Sequence, residues 1–179
     1  MADLSDIMHI LPSMKSGDDL FSALEVLPEY DEVIRETEVP VRLMALSDLY
    51  RIYVPSQMSL EIYSKMYLAL LRSLQKKGTK LAVQQKNQNY KAMIQQEYSG
   101  IMGGSDSFTI IGASGIGKSS AISRAITLIT ENRVIEVENP YTKIIPCICV
   151  QCPFDSSVKG MLLEILRKVD EMIESKYYE

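Results

Sequence analysis

The sequence predicts an α/β fold built on a parallel sheet, and three observations carry that prediction. The stretch Gly112-Ala113-Ser114-Gly115-Ile116-Gly117-Lys118-Ser119-Ser120 has the spacing G-x-x-x-x-G-K-[ST] of a phosphate-binding loop. A short apolar run, Ser107 to Ile111, leads into it as a strand should. A helical run, Ala121 to Thr130, leaves it with Ile122, Ala125, Ile126 and Ile129 on one face. A second strand-then-helix pair follows in 143–152 and from about Ser157 to Lys176. Strand, helix, strand, helix is the signature of helices packed on a parallel sheet.

In chain order, residues 1–40 come first as an acidic, loosely ordered extension. They hold ten acids against Lys15 and Arg35, a local balance of −8. Pro12, Gly17, Pro28 and Pro40 interrupt every short apolar group, leaving room for a helical turn around Asp19–Leu27. Residues 41–104 read as a helical region and linker. Val41 to Tyr50 forms a short helix, and Tyr53-Val54-Pro55 is extended, because a residue before proline avoids the helical region. Ser56 or Ser59 caps a stronger helix whose apolar face is Leu60, Tyr63, Met66, Tyr67, Leu70, Leu71 and Leu74. Gly78 ends it. Residues 79–98 are polar, and Gly100, Gly103 and Gly104 make a loop into the strand at 107–111.

Residues 105–179 carry the phosphate loop. Its glycines, Gly112, Gly115 and Gly117, permit positive φ and close approach of the backbone. Successive N–H groups and a helix N-terminus then converge on an anion. Lys118 reaches the β- and γ-phosphates and the Ser119 hydroxyl ligates Mg²⁺. Val134–Val137 is a short strand candidate and Asn139-Pro140 a turn. The near-continuous apolar run from Ile144 to Val150 suits a strand buried on both faces. Val158, Met161, Leu162, Ile165, Val169 and Met172 form the core face of the last helix.

Several constellations have a plainer reading beside the functional one. Cys147, Cys149 and Cys152 lack a nearby fourth ligand for zinc and read as buried core thiols. Residues 62–96 hold seven basic residues and no acid, a balance of +7 that suits either DNA phosphates or a solvated face. Tyr63 and Tyr67 within it belong to an apolar helix face, so they are core rather than stacking platforms. Lys159, opening a helix against the macrodipole, faces either an anion or solvent. Asp155 either approaches Mg²⁺ or, the favoured reading, caps the helix.

Composition bounds the rest. The chain has 179 residues, 46% of them hydrophobic, which allows a real core. No apolar run reaches the about 18 residues a membrane-crossing helix needs. Three cysteines and an acidic N-terminus without a secretory signal point to a cytoplasmic setting. After Lys118 no apolar run ends in Asp-Asp or Asp-Glu, the acidic second motif that ATP hydrolysis uses. With the end at Glu179 so soon after the second strand, the expectation is the N-terminal part of a longer protein.

Phe108 to Ser120, then Cys152-Pro153-Phe154-Asp155-Ser156-Ser157-Val158-Lys159-Gly160, then Val169-Asp170, resemble the TniB/TnsC-type AAA+ ATPases of bacterial DNA transposition. The resemblance covers roughly residues 42–179. It implies a P-loop NTPase fold, a three-layer α/β/α arrangement with a parallel sheet, present here as its N-terminal part. It implies ATP and Mg²⁺ at Gly112, Ala113, Ser114, Gly115, Ile116, Gly117, Lys118, Ser119 and Ser120, and a DNA contact at Lys159. It places Tyr53–Pro55 beside the adenine. It also implies a homo-oligomer assembled on DNA that links a target selector to a transposase. Ser156 stands where the family pattern has Gly, and the second acidic motif and arginine finger are missing, which puts hydrolysis by this chain in doubt. Two further readings stand beside it: a phosphotransferase acting on a small metabolite, and a non-catalytic nucleotide-binding regulator.

Overall fold

The computed structural model describes residues 11–77, 90–91, 94, 106–131, 133–138 and 141–175, and over these the chain is mostly helical. Its helices are α1 (Gly17–Leu24), α2 (Val39–Ser47), α3 (Gln57–Lys77), α4 (Lys118–Thr130) and α5 (Val158–Ile173). Two 3₁₀ turns, Glu32–Glu36 and Asp48–Arg51, flank α2. Two short strands, β1 (Ile135–Glu138) and β2 (Tyr141–Ile144), complete the order.

Local chemistry explains the boundaries. Asp18 and Asp19 sit in the first turn of α1, where the helix dipole favours them. The Asp31 carboxylate accepts from Val33 N–H at 2.9 Å and starts the first 3₁₀ turn. Pro40 lies in the first turn of α2, where its missing N–H costs nothing. The Ser56 backbone N–H donates to Ser59 Oγ at 3.2 Å, and the Ser59 N–H reaches back to Ser56 Oγ at 3.4 Å, fixing the entry to α3. Gly78, the expected stop, lies outside the described residues.

The core sits where α1 and α4 pack on α3. Leu20, Leu24, Ile62, Tyr63, Tyr67, Ala121, Ala125 and Ile129 form one buried cluster. Alanines at 121 and 125 let α4 approach the tyrosine face of α3 closely. The Tyr63 and Tyr67 rings lie 5.9 Å apart, one helical turn from each other. Both hydroxyls are used: Tyr63 Oη accepts from Lys15 N–H at 3.0 Å, and Tyr67 donates to Pro12 O at 2.7 Å. These two bonds tie residues 12–15 along α3. Burial, with Tyr63 next, pushes the Tyr67 phenol above its ordinary pKa. Leu11, Leu74 and Ile135 form a second buried cluster nearby.

Within the expected loose extension, then, residues 11–24 are docked by packing and hydrogen bonds. The following residues are docked too. Val26 and Tyr53 exchange two backbone hydrogen bonds of 2.9 Å each as an isolated antiparallel bridge.

The three-layer α/β/α fold with a parallel sheet is not what forms. The sheet among the described residues has two strands, β1 and β2, paired antiparallel with Ile135 opposite Ile144 and Glu136 opposite Lys143. The spacing dictates this: two residues separate the strands, whereas a parallel pair needs a crossover of about a dozen. Residues 107–111 are irregular rather than a strand, and Ile111 is 90% exposed. A strand exists only through a partner's hydrogen bonds, and among the described residues this run pairs with no other strand. The run expected at 143–152 pairs only up to Ile144, and Pro146, with no N–H to donate, does not extend the ladder.

Two further corrections follow from the missing parallel strand. Among the described residues the apolar face of α5 is not fully buried: Val158, Met161 and Leu162 are exposed, and Ile165, Val169 and Met172 are half-buried. The cysteines are not core thiols either, since Cys149 and Cys152 are exposed and Cys147 is half-buried. Burial first, and Cys149 second, push the Cys147 thiol up. Iodoacetamide near pH 8 therefore labels Cys149 and Cys152 before Cys147, an order readable by peptide mass spectrometry. Equal labelling rates would contradict the burial of Cys147.

No helix among the described residues is long and apolar enough to cross a membrane.

Candidate phosphate-binding loop

The loop at 112–117 leads directly into α4, and the packing of α4 on α3 fixes its position. Gly115 and Gly117 have φ of +84° and +88°, the left-handed region that favours glycine. Gly117 is the N-cap of α4. Ala121 N–H bonds Gly117 O at 2.9 Å, so the N–H groups of Lys118, Ser119 and Ser120 precede the helical ladder. Donors left over at a helix start are an anion site in waiting.

Gly112 serves differently from expectation. Its φ is not positive; instead, a Cβ there would strike Ile116 Cδ1. The glycine lets the two ends of the loop approach each other.

Lys118 closes the loop across that approach. Its Nζ donates to Gly112 O at 2.9 Å and to Ala113 O at 2.7 Å. An ammonium has three N–H groups, so one remains for an anion. The clasp also holds the positive charge over the loop. Ser114, Ser119 and Ser120 are exposed beside it.

The residues fit a polyphosphate. A cradle of two left-handed glycines has open space where side chains would stand, with no heavy atom within 4 Å of a Cβ at either. A cation and a helix start share that cradle. For Mg²⁺ the loop offers the Ser119 hydroxyl. Among the described residues no group of three or more His, Cys, Asp or Glu side chains is placed to hold a metal.

Gly117→Ala is expected to strain the loop by about 1–2 kcal/mol, the penalty of a Cβ in the left-handed region. Nucleotide affinity should fall about tenfold, measured by titration with a fluorescent ATP analogue. Unchanged affinity would mean that the left-handed turn plays no part in binding.

The other expected site residues are not brought together with the loop. Lys159 is an exposed residue in the first turn of α5, and α5 shares no buried cluster with α4. Asp155 accepts from Ser157 N–H at 3.0 Å, and Ser157 Oγ accepts from Gly160 N–H at 3.1 Å. Ser157 is therefore the cap of α5, and Asp155, for which capping was the favoured reading, instead holds the N–H of that cap residue. Tyr53 is committed elsewhere: its hydroxyl bonds Ser59 Oγ at 2.7 Å and its ring lies under the Arg124 guanidinium at 5.8 Å.

Arg124 is the residue the sequence does not single out. From α4 its Nε and Nη2 donate to Leu24 O at 3.2 and 2.9 Å. The acceptor lies 100 positions away, so no local pattern signals the contact.

A separate cleft of about 630 Å³ lies between α2 and its flanking 3₁₀ turns, lined by Leu27, Ile34, Leu43, Leu46 and Ile52 with Arg35 and Arg42. It contains none of the loop residues.

No protein-family model matches the chain, and no curated protein matches it either.

Proposed function

We propose that the loop Gly112–Ser120 binds the phosphates of ATP together with Mg²⁺. The observation that carries this reading is the Lys118 clasp on Gly112 O and Ala113 O, set at the start of α4 behind two left-handed glycines. Backbone N–H groups of the loop and of Lys118, Ser119 and Ser120 receive the phosphate oxygens. Lys118 supplies the cation that a triphosphate needs. Ser119 offers its hydroxyl to the metal, which when bound neutralises charge on the phosphates.

The setting proposed for this binding is the regulation of DNA transposition in the cytoplasm. An oligomer assembles on DNA with ATP and links target selection to a transposase. The phosphate loop and the Cys152–Gly160 segment support that setting through their resemblance to TniB/TnsC-type proteins. The antiparallel β1–β2 hairpin lends it no support.

Titration with a fluorescent ATP analogue in the presence of Mg²⁺ tests the binding, and saturation in the micromolar range is expected. No saturation at millimolar nucleotide would remove the proposal. Sedimentation with duplex DNA, with and without a non-hydrolysable ATP analogue, tests the setting separately. ATP-independent or absent DNA binding by the full protein ends the transposition reading and leaves the loop reading standing.

A further inference from the structure

We infer that docking of residues 11–27 and filling of the phosphate loop are linked through α4, with Arg124 as the positioning residue that joins them. The inference rests on the phosphate-binding reading above and adds a regulatory element to it.

Arg124 lies six residues beyond Lys118, about 9 Å along the axis of α4. Its planar fork meets the carbonyl of Leu24, the last residue of α1, at 3.2 and 2.9 Å. That carbonyl is among those with no donor inside its own helix, and it carries the negative end of the α1 dipole. The same guanidinium stands 5.8 Å from the centre of the Tyr53 ring. Tyr53 in turn exchanges both backbone hydrogen bonds with Val26, two residues past α1. One side chain of α4 thus meets the end of α1 and also Tyr53, one of the two partners in the bridge that secures the N-terminal segment.

On the core side, Ala121 and Ala125 share one buried cluster with Leu20 and Leu24. Ala121 is also the residue whose N–H closes the first bond of the α4 ladder, onto Gly117 O. The cover over α1 and the geometry of the phosphate donors therefore meet within one turn.

The physical link is helix stability. α4 has 13 residues, a length at which an isolated helix is marginal in water. Its order comes from packing, and its first turn holds the donors for the anion. When residues 11–27 lift away, Ala121 and Ala125 keep α3 but lose the part of their cover that Leu20 and Leu24 supply, and Arg124 loses its acceptor. A ligand that needs the first turn of α4 intact then binds the docked form more tightly than the undocked one. Thermodynamic reciprocity makes the ligand hold the segment down by the same factor. Polyphosphate binding thereby controls whether residues 11–27 are docked or released.

The test is hydrogen exchange over residues 12–27 in the full chain, with and without Mg·ATPγS, beside the nucleotide dissociation constant. In the unsubstituted chain nucleotide is expected to slow exchange at Lys15 and Val26, whose N–H groups bond Tyr63 Oη and Tyr53 O. Arg124→Gln should weaken nucleotide binding about tenfold and abolish the slowing even at saturating nucleotide. Arg124→Lys keeps the charge without the fork, so it should fall between the two. It carries the same comparison if the glutamine variant does not fold. A merely structural Arg124 would lower stability but leave the slowing intact at saturation, and that result overturns its role. Nucleotide binding by the unsubstituted chain with unchanged exchange over 12–27 overturns the linkage and leaves the loop reading in place. No nucleotide binding at all removes both.

Discussion

Lys118→Ala raises the dissociation constant for Mg·ATP about 100-fold. The side chain does two things at once. It bridges Gly112 O and Ala113 O at 2.9 and 2.7 Å, which holds the loop closed, and it brings a positive charge to where the phosphates lie. A hydrogen bond to a charged group contributes about 1.5–3 kcal/mol, and each 1.4 kcal/mol is about a factor of ten in affinity. Two such interactions at the low end of that range give about 100-fold. Lys118→Arg is expected not to restore binding, because a planar fork does not reproduce a compact ammonium pointing at two carbonyls and a phosphate. Folding stability should change by less than about 1 kcal/mol, since the side chain lies outside both buried clusters. Calorimetric titration and thermal unfolding give the two readouts. Unchanged affinity with the fold intact would remove the phosphate-binding proposal.

Leu24→Ala lowers the unfolding free energy by about 2–5 kcal/mol, read from urea denaturation with an unchanged slope. Leu24 is 1% exposed and shares its cluster with Tyr63, Tyr67 and Ala125. Truncation removes the transfer energy of the buried methyl groups and leaves a cavity between three helices. The backbone carbonyl that Arg124 grips survives the substitution, so the measurement isolates packing from the polar contact. A loss below about 0.5 kcal/mol would mean that α1 does not pack on α3 and α4.

The turn at 112–117 and the start of α4 were legible because their geometry is local. Left-handed glycines, a lysine and a helix start fall within nine consecutive residues, and their geometry follows from their spacing. α3 and α4 were legible for a related reason, since their apolar residues repeat at helical intervals. The faces assigned to them contain the buried Tyr63, Tyr67, Ala125 and Ile129.

The sheet failed where the sequence pattern is ambiguous. An apolar run such as Ile144–Val150 fits a buried strand, but strandedness depends on a neighbour that the run itself does not specify. The two-residue gap between Glu138 and Tyr141 carries the information that decides the pairing. Weighing that gap against the crossover a parallel pair requires would have favoured a hairpin.

The packing of residues 11–27 was not legible for a different reason. Their acids and prolines suggest a solvated leader, yet Leu20 and Leu24 are among the most buried side chains described. Their partners lie on α3 and α4, far along the chain, and composition contains no trace of them.

That distance has a consequence during synthesis. The carbonyl of Leu24 waits 100 residues for its arginine, and Pro12 waits 55 for its tyrosine. At about 5–20 residues per second, the first interval lasts about 5–20 s on a translating ribosome. Until α3 emerges the apolar stripe of α1 has nothing to cover it, and until α4 follows that cover is incomplete. Nascent chains halted before Arg124 are therefore the species that should recruit chaperones, and release of those chaperones should coincide with emergence of α4.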